Sequence, residues 1–488
     1  MTDVTETTRV PMRSLTPEEA VQTWDQTLPG YNQAEAIEEA KRALAFDLEL
    51  STKGCPFHVD ARRLAEHVSR GEWDAAARVV HEGHFMPQTM GMHCHRYCET
   101  ALLPNGGLTI PRPERIRVPD WAPNISALEW AAGQFGARPE FHQGDLTGKR
   151  VAVVGGGSGG LMCAWVLRQL GHAVDVYDRD TLPGGLLMSG YPSFRLEKPI
   201  TRRENDPQDW GVTFFGEHDV TPEELRRFTE EYDAIYLSPG RVPRRNFVGP
   251  DGGPLPGEDL EGVVTGTDVL RDTWYGNPPS IGPRVIVFGG GQTAIDVART
   301  ARRLGCQVES IYRRGPGEMQ VGPAPEISIR MMEEEGIKVR TMADPRRFIG
   351  RDGRLVAVEL ITMAYGEVDA SGRPSTHPVE GSAEIVEVDT AIRAIGEVYD
   401  VKALVEPLGI EVMAGGYIHI DPVSKRTAHP KVWAGGDVCA GRGNHGAAHD
   451  GDWAARAIDA FLNGRYNEWR AEAAASNDAD LLHRDAKM

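Results

Sequence analysis

Two glycine-rich turns in this 488-residue chain have the spacing that binds the pyrophosphate of a dinucleotide. Each follows a short apolar run, VAVV or VIVF, and precedes a helix-like segment. Glycines there permit a tight turn and let the backbone approach the phosphates, whose charge then lies at a helix N-terminus. The candidate positions are Gly155, Gly157, Ser158 and Gly160 in the first turn, and Gly289, Gly291, Gln292, Thr293 and Ala294 in the second.

The strand after each turn ends in residues that distinguish the two nucleotides. Asp178 ends the strand of the first unit, where a carboxylate accepts hydrogen bonds from the ribose hydroxyls of FAD or NAD. Arg313 and Arg314 end the equivalent strand of the second unit. Two guanidinium groups favour a 2′-phosphate, so we expect NADPH rather than NADH at the second turn. The alternative is that the two arginines form a solvated surface patch.

The cysteines divide into two groups. Cys163 and Cys306 lie in apolar segments and are expected to be buried, whereas Cys55, Cys94 and Cys98 lie outside both nucleotide units. Disulfides are not expected in a cytosolic chain. The sequence offers no C-x-x-C pair for thiol–disulfide chemistry, so a disulfide-reductase mechanism is not expected.

Length and composition indicate a globular protein with two or three domains. The net charge of −18 argues against nucleic acid or an anionic membrane as a partner. The sequence contains no apolar run near the roughly 20 residues that span a bilayer and no signal-peptide core. We therefore expect a cytoplasmic location.

Periodicity places the motifs on regular elements. Helices are predicted over Ala34–Leu50, Asp60–Ser69 and Glu72–His81, with Asp60 as the N-cap of the second. The Pro- and Gly-rich stretch Leu103–Pro123 is expected to be a wrapping connection. Further predicted elements are a helix over Thr221–Glu230, strands at Asp233–Leu237, Thr390–Gly396 and Lys431–Asp437, the last ending in Gly-Asp, and a helix over Asp452–Leu462.

Five motifs follow one another along the chain and are specific in combination: GGGSGG, GGLLMSGYPSFRLEKPITRR, GGGQTAIDVA, AIRAIG and WAGGD. This chain resembles the small-subunit family of NADPH-dependent glutamate synthase, which includes the FAD/NADPH half of dihydropyrimidine dehydrogenase. The likeness covers about residues 35–465. It implies FAD at the first turn and NADPH at the second. It also implies further cofactor-binding positions at Gly185, Leu186, Arg195, Gly240, Gly396, Gly436 and Asp437.

The fold implied is α/β. Two Rossmann-like dinucleotide-binding domains are expected, with the NADPH domain inserted in the FAD domain, together with an N-terminal α-helical, ferredoxin-like cluster domain. The expected divisions are a flexible arm (1–30), a helical, degenerate iron–sulfur domain (31–145), the first segment of the FAD domain (146–282), the NADPH domain (283–392), the second segment of the FAD domain (393–465) and a polar tail (466–488).

The family's helical domain holds two 4Fe–4S clusters, and its ligand positions are only partly filled by cysteine in this chain. One set falls on Ala43, Phe46, Ser51 and Leu102, so we expect that cluster to be lost and its site to be filled by side chains. The other set falls on Cys55, Met90, Cys94 and Cys98. Three thiolates could hold a 4Fe–4S or 3Fe–4S cluster. Met90, His93 or His95 is the candidate fourth ligand, and the alternative is a cluster-free helical domain.

Three residues near the C-terminal motif are weaker candidates for chemistry. His445 and His449 are four residues apart beside the expected flavin site. They are candidate proton donors or substrate contacts, or they simply hydrogen-bond to the backbone. Cys439 is expected to be a loop residue, with approach to the flavin as the alternative.

The resulting hypothesis is an electron-input flavoprotein that takes hydride from NADPH onto FAD and passes electrons to a partner oxidoreductase. The alternative is a self-contained NADPH-dependent reductase of a small molecule of quinone or imine type, since a lost cluster interrupts the usual electron path. A third hypothesis, a scaffold that keeps FAD for structure, is disfavoured by two intact nucleotide motifs.

Overall fold

The computed structural model describes residues 8–103, 118–240, 246–249, 252–319, 325–368, 374–396, 401–439 and 443–476. The N-terminal region is helical, and most of the predicted connection Leu103–Pro123 lies outside the described residues. Its helices are α1 (Pro17–Ala20), α2 (Gln33–Ala43), α3 (Leu48–Gly54), α4 (Ala61–Ser69), α5 (Trp73–His81), α6 (Pro87–His93), α7 (Tyr97–Thr100) and α8 (Ile125–Phe135).

Two of the predicted N-terminal helices are confirmed, and one is divided. The Asp60 side chain accepts a hydrogen bond from the backbone N–H of Arg63 (2.9 Å), which fixes the start of α4 as predicted. The single helix predicted over Ala34–Leu50 is instead α2 and α3. Asp47 begins the second of these by accepting a hydrogen bond from the backbone N–H of Glu49.

Residues 8–30 pack against the rest of the chain, which differs from the expected flexible arm. The backbone N–H of Arg9 donates to Asp120 (2.7 Å), and that of Thr27 donates to Phe194 (2.9 Å). Backbone hydrogen bonds of this kind leave no periodic pattern of side chains. The sequence therefore gives no sign of them.

The first nucleotide unit forms a five-stranded parallel sheet in the order β14–β4–β1–β2–β3, in which β14 returns from the C-terminal region of the chain. Its N-terminal elements are β1 (Arg150–Val154), α9 (Ser158–Gln169), β2 (Ala173–Tyr177), α10 (Leu186–Ser189), α11 (Lys198–Glu204), β3 (Thr213–Phe215), α12 (Pro222–Glu231) and β4 (Ala234–Leu237).

The second unit is inserted between β4 and β14 and forms another parallel sheet, in the order β5–β13–β6–β7–β8. An antiparallel sheet of β9 to β12, which the sequence analysis does not predict, follows β8. The elements are β5 (Val263–Thr265), α13 (Gly266–Trp274), β6 (Arg284–Phe288), α14 (Gln292–Arg303), β7 (Gln307–Tyr312), α15 (Pro325–Glu334), β8 (Lys338–Thr341), β9 (Ala343–Arg351), β10 (Arg354–Val368), β11 (Pro374–Pro378), β12 (Glu384–Glu387) and β13 (Thr390–Arg393).

The C-terminal elements complete the first unit: α16 (Lys402–Val405), β14 (Val432–Ala434), α17 (Gly443–Leu462) and α18 (Tyr466–Ala475). The sheets place two predicted boundaries differently. The sequence assigns residues 146–282 to the first unit, but β5, which lies in that range, pairs with β13 in the second sheet. Local sequence does not reveal this pairing, because β13 lies far along the chain. The tail expected from 466 begins with α18, where Trp469 packs on Trp453 at 5.9 Å between ring centroids.

Each parallel sheet is buried on both faces, which explains its nearly continuous apolar strands. In β1, Val151 and Val153 face the core shared with α9 and α17, whereas Ala152 and Val154 face α12 and β14. In β6, alternate residues face α14 on one side and the antiparallel sheet on the other. The carboxyl ends of β1 and β6 therefore hold the two glycine turns rigidly at sheet edges.

Candidate functional site

The first glycine turn lies between β1 and α9 in a shape that leaves space for a ligand. Gly155 has φ +102°, and a Cβ there would lie 2.1 Å from the carbonyl oxygen of Ser238, so only glycine fits. A Cβ at Gly160 would lie 1.8 Å from the carbonyl oxygen of Gly155. At Gly157, by contrast, a Cβ would meet only Gly185, at 4.0 Å. The open side of the turn is therefore at Gly157, beside the N-terminus of α9.

A cleft of about 400 Å³ begins at this turn, and we call it the flavin cleft after the cofactor that the sequence resemblance implies there. Residues from distant regions of the chain line it, including Asn444 and Ala447 at the start of α17, which the sequence analysis does not select. Among the predicted cofactor positions, those that line it are Gly155, Gly157, Ser158, Asp178, Gly185, Leu186, Gly240 and Asp437.

Asp178 connects the end of β2 to the glycine turn. Its carboxylate accepts hydrogen bonds from the backbone N–H groups of Gly156 (2.5 Å) and Asp180 (2.7 Å). Burial raises the pKa of Asp178 to about 6, although these two hydrogen bonds oppose the shift. The carboxylate is thus held at the rim of the flavin cleft, where an incoming hydroxyl donor would favour its charged form.

A buried ion pair positions the C-terminal side of the flavin cleft. Lys425 contacts Asp450 at 2.8 Å, and Asp450 accepts a hydrogen bond from the backbone N–H of Gly436 (3.0 Å). The next residue, Asp437, accepts one from the backbone N–H of Gly443 (3.3 Å), at the first residue of α17. The sequence analysis missed Lys425 and Asp450, because nothing in their local pattern shows that they meet.

The second glycine turn repeats this geometry between β6 and α14. Gly289 has φ +144°, and a Cβ there would lie 2.2 Å from the carbonyl oxygen of Ala394. At Gly291 and Gly396 a Cβ would meet nothing within 4 Å, so the space in front of this turn is also open. Gln292 and Thr293 begin α14, and Ala294 is buried in its core.

The two arginines expected at the second turn have different environments. Arg314 is buried, pairs with Glu318 at 3.1 Å and donates a hydrogen bond to the carbonyl oxygen of Pro374. Arg313 is exposed. It interacts electrostatically with Asp344, whose pKa burial raises to about 6 and Arg313 lowers. Of the two, Arg313 therefore has its guanidinium at the surface.

Arg195 connects the two nucleotide units. Its guanidinium pairs with Asp296 on α14 (2.5 Å) and lies 4.9 Å from the ring centroid of Tyr191. The neighbouring Phe194 is fully buried, with the guanidinium groups of Arg299 and Arg303 4.8 Å and 3.9 Å from its ring centroid. We call Phe194, Arg195, Asp296, Arg299 and Arg303 the interdomain clamp.

Three cysteines lie together in the helical domain. Cys55 ends α3, Cys94 ends α6 and Cys98 lies in α7, and each thiol interacts electrostatically with the others. Burial raises the pKa of Cys55 to about 11 and raises those of Cys94 and Cys98 further. Such thiols remain protonated at neutral pH unless a metal takes the place of the proton.

The surroundings of these thiols fit an iron–sulfur cluster. The backbone N–H groups of residues 57–59 donate to the Cys55 sulfur, and that of Arg96 donates to the Cys94 sulfur at 3.3 Å. Such donors stabilise thiolate charge. Glu129 is buried on α8 with its carboxylate 3.2 Å from Nε2 of His84, and it interacts electrostatically with all three thiols. Among the described residues, no three His, Cys, Asp or Glu side chains are close enough to bind one metal ion together. The ligands of an iron–sulfur cluster bind different irons, so they lie farther apart than the ligands of a single ion.

Glu129 is the functional candidate that the sequence analysis missed here. The available signal is a lone carboxylate within the apolar run ISALEWAA. Met90, a candidate fourth ligand, instead packs with Phe85 and Trp165 in the core of the first sheet. The ring of His93 packs on Tyr191, and His95 hydrogen-bonds with His445.

Apolar packing fills the positions of the second ligand set, as expected. Ala43 and Phe46 are buried in the helical core, and Leu102 packs against it. The ring of Phe46 stacks on Trp121 at 6.3 Å between centroids, with an interplanar angle of 12°. Ser51 is buried, and its hydroxyl has no hydrogen-bond partner within the described ranges.

A family comparison identifies this arrangement. The model of the pyridine nucleotide-disulphide oxidoreductase family matches residues 149–457, which include both glycine turns. The chain belongs to this family. A second model, dihydropyrimidine dehydrogenase domain II with a 4Fe–4S cluster, matches residues 20–115. Like other pyridine nucleotide oxidoreductases, this enzyme is an NAD(P)H-dependent flavoprotein with FAD and NADPH as cofactors.

Individual relatives define the branch of this oxidoreductase family. The glutamate synthase [NADPH] small chain of Halomonas elongata is 31% identical over 432 residues, covering 84% of this chain and 87% of that protein. The NADPH-Fe(3+) oxidoreductase subunit beta of Geobacter sulfurreducens is 31% identical over 408 residues, covering 80% of this chain and 56% of that protein. The chain thus spans little more than half of that second relative. The glutamate synthase small-chain family expected from the sequence is confirmed.

A solved structure supports the fold of this oxidoreductase. Mycobacterium tuberculosis FprA in complex with NADPH aligns with a TM-score of 0.53 and 18% identity, covering 69% of this chain and 90% of that one. The likeness confirms the expected pair of nucleotide-binding domains. Within the ranges that the structure describes, no helix combines the length and apolar character needed to cross a membrane.

The two histidines near the C-terminal motif of this oxidoreductase lie between its domains. His445, in the first turn of α17, shares a hydrogen bond with His95 beside Cys94. Burial lowers the pKa of His445 well below its usual range and that of His95 to about 4, so both rings are neutral at pH 7. His449 is buried with its ring 5.9 Å from that of Trp453. Cys163, Cys306 and Cys439 are buried, as expected for the first two.

Proposed function

We propose that this enzyme takes hydride from NADPH onto FAD and passes electrons singly, through one iron–sulfur cluster, to a partner oxidoreductase. The observation that carries the proposal is the meeting of three thiols and the Glu129 carboxylate beside the first turn of α17. That turn also lines the flavin cleft through Asn444. A cluster site next to the flavin cleft has no evident use in an enzyme that transfers only hydride.

FAD supplies a centre that accepts two electrons as hydride and releases them one at a time. For its binding we assign three tasks to the chain. The N-terminus of α9, open at Gly157, faces the pyrophosphate, and Asp178 accepts hydrogen bonds from the ribose hydroxyls. Asp437 lines the opposite side of the flavin cleft.

For NADPH we assign the pyrophosphate to the open side of the second turn at Gly291, and the 2′-phosphate to Arg313. Arg314 is already paired with Glu318 and supports the loop. The interdomain clamp then fixes α14, and with it the bound nucleotide, against the segment between α10 and α11 that carries Phe194 and Arg195.

For the cluster we assign Cys55, Cys94, Cys98 and Glu129 as the four ligands. Backbone N–H groups already point at two of the sulfurs, and the carboxylate supplies an oxygen where the family pattern has lost a cysteine. A cluster supplies single-electron transfer. The second ligand set is filled by Phe46 and its neighbours, so one centre is expected rather than two.

A partner subunit is supported by the names of the relatives. They include subunit beta of an NADPH-Fe(3+) oxidoreductase, subunit beta of an NADP(+)-dependent formate dehydrogenase and a glutamate synthase small chain. Each name describes one component of a larger enzyme. We infer that this chain is likewise the NADPH-oxidising component of an assembly.

Metal analysis of anaerobically purified protein tests the proposal. We expect about three or four irons per chain together with one FAD. Cys94→Ser and Glu129→Ala should lower the iron content, whereas Cys306→Ser, a buried cysteine in the NADPH domain, should leave it unchanged. Fewer than one iron per chain in the unmodified protein would contradict the proposal and favour direct reduction of a small molecule at the flavin.

A further inference from the structure

We propose that a second cleft binds a small, largely apolar molecule that carries a carboxylate. This cleft, which we call the arm cleft, has a volume of about 620 Å³ and lies between residues 12–28, the helical domain and helices α14 and α15. Its volume is within the roughly 300–1,000 Å³ typical of small-molecule sites. The site goes beyond the proposed electron path and does not depend on a bound cluster.

The walls of the arm cleft carry apolar side chains that are at least partly exposed, such as Leu15, Leu28 and Met92, among polar ones, and they include two aromatic rings that are themselves buried. Trp130 on α8 and Phe194 from the interdomain clamp line it, together with Met92 and Leu15. The position of Trp130 is fixed by close helix packing, since a Cβ at Gly91 on α6 would lie 2.7 Å from the Trp130 backbone nitrogen. The partly exposed apolar side chains favour a ligand with apolar surface of its own.

Arg96 gives the arm cleft a positive charge that the protein does not fully neutralise. Its side chain keeps 34% of its surface exposed, and its closest carboxylate, Glu99, is 4.0 Å away, too far for a hydrogen bond. The Oε1 atom of Glu99 accepts from the backbone N–H and the hydroxyl of Ser126, and its Oε2 atom lies 3.6 Å from Arg9 and 4.0 Å from Arg96, beyond hydrogen-bond distance of both. In the described regions of the chain, the Arg96 guanidinium makes no hydrogen bond that would compete with a ligand.

The other arginines that line the arm cleft are committed to carboxylates at shorter distances. Arg299 pairs with Glu335 at 2.5 Å, and Arg195 pairs with Asp296 at 2.5 Å. Arg330 lies 3.8 Å from Glu334 at the exposed edge of α15. Arg96 is therefore the guanidinium best placed for a planar, two-point contact with a carboxylate.

The backbone at Arg96 is held in an unusual conformation that directs this side chain. Its φ is +60°, in the left-handed region that costs energy for a residue other than glycine. The Arg96 N–H donates to the Cys94 sulfur (3.3 Å), and its carbonyl oxygen accepts from Glu99 and Thr100 as α7 begins. The start of α7 thus fixes the direction in which the guanidinium leaves the backbone.

The arm cleft is close to the flavin cleft but distinct from it. His93 lines the arm cleft, and its ring packs on Tyr191 at 4.8 Å between centroids. The Tyr191 hydroxyl accepts a hydrogen bond from Asn444, which lines the flavin cleft. The His93–Tyr191 pair of rings therefore links a residue lining one cleft to a residue lining the other. At its other end the arm cleft reaches Gln292 of the second glycine turn.

Calorimetric titration of the FAD-loaded protein tests the site, with indole-2-carboxylate as the probe and indole-2-carboxamide as its neutral match. We expect one saturable carboxylate site and at least about ten-fold weaker binding of the amide, as loss of a charge-assisted contact predicts. Arg96→Met should weaken carboxylate binding by a similar factor and leave amide binding unchanged. The control Arg330→Met should stay within about two-fold of the unmodified protein, with FAD content unchanged in both variants.

Saturating NADPH distinguishes the arm cleft from the nucleotide site. We expect carboxylate affinity to stay within about two-fold when NADPH is present, because Gln292 is the residue of the second glycine turn that lines the arm cleft, at the end away from Arg96. Absence of saturable binding, equal affinity for acid and amide, unchanged affinity in Arg96→Met, or complete displacement by NADPH would each overturn the proposal. The comparison of acid with amide needs no variant, so it decides the question even if Arg96→Met fails to fold.

Discussion

Weakening the interdomain clamp should loosen the FAD unit from the NADPH unit without unfolding either one. Phe194→Leu keeps an apolar side chain in a fully buried position but removes two cation–π contacts, at 3.9 Å and 4.8 Å. Each cation–π contact contributes about 0.5–1 kcal/mol, so the loss of both lowers the stability of the interface by roughly 1–2 kcal/mol. This corresponds to a rise of about 5- to 30-fold in the population of the opened interface.

Hydrogen exchange measures that opening directly. The amide of Thr27 donates to the carbonyl oxygen of Phe194 (2.9 Å), so its exchange rate reports the opening of the clamp and of the N-terminal segment packed on it. We expect this rate to rise about 5- to 30-fold in Phe194→Leu, while amides of α9 stay protected. The rate of flavin reduction by NADPH in a single turnover should fall with it, because α14 carries the second glycine turn.

The matched control is Phe228→Leu in α12. Phe228 is also buried, but it packs against Tyr177 and Tyr232, and none of the cation–π contacts in the described ranges involves it. This variant should lose similar apolar area yet leave Thr27 exchange and flavin reduction within about two-fold of the unmodified protein. Exchange at Thr27 that stays within two-fold in Phe194→Leu would refute the assigned role of the clamp.

Three further predictions concern the nucleotide sites. Gly157→Val places a side chain in the open space of the first turn, so the protein should purify without flavin absorbance; full flavin content would exclude FAD from this turn. Arg313→Gln should lower the kcat/KM preference for NADPH over NADH by about ten-fold or more. Arg314→Gln should mainly lower the melting temperature. If Arg314→Gln instead removed the NADPH preference and Arg313→Gln lowered the melting temperature, Arg314 would be the residue that binds the 2′-phosphate. FAD affinity should fall as pH drops below about 6: Asp178 is then protonated, whereas ribose hydroxyl donors favour its charged form, so binding releases a proton. Asp178→Asn should flatten this pH profile, and an unchanged slope in that variant would exclude Asp178 as the titrating group.

The nucleotide turns could be found in the sequence because their determinants are local. Gly155 and Gly289 are needed where a Cβ would meet a carbonyl oxygen about 2 Å away, and the spacing that creates this contact repeats in every such turn. Glu129 and the Lys425–Asp450 pair were missed because their function arises from contacts between distant segments. The strand β5 was placed in the wrong unit for the same reason.

Arg314 shows a different limit of sequence reasoning. Its residue type and position are those of a phosphate ligand, and the sequence cannot distinguish it from Arg313. Only the fold shows that Glu318 and Pro374 already occupy its donors. A charged residue in a motif therefore indicates which kind of ligand group could bind there. Whether its charge is free to bind that ligand depends on partners that other segments of the chain supply.

In the helical domain, apolar packing occupies positions that the resemblance assigns to the ligands of one cluster. Where the family places one cluster, Phe46 stacks on Trp121, and Ala43 and Leu102 pack into the same core. Burial of these apolar groups stabilises the domain where metal binding otherwise would. The three thiols and Glu129 have not been replaced in this way: they remain buried together, with the Glu129 carboxylate 3.2 Å from Nε2 of His84. That difference between the two halves of one small domain is a stronger argument for a retained cluster than the number of cysteines alone.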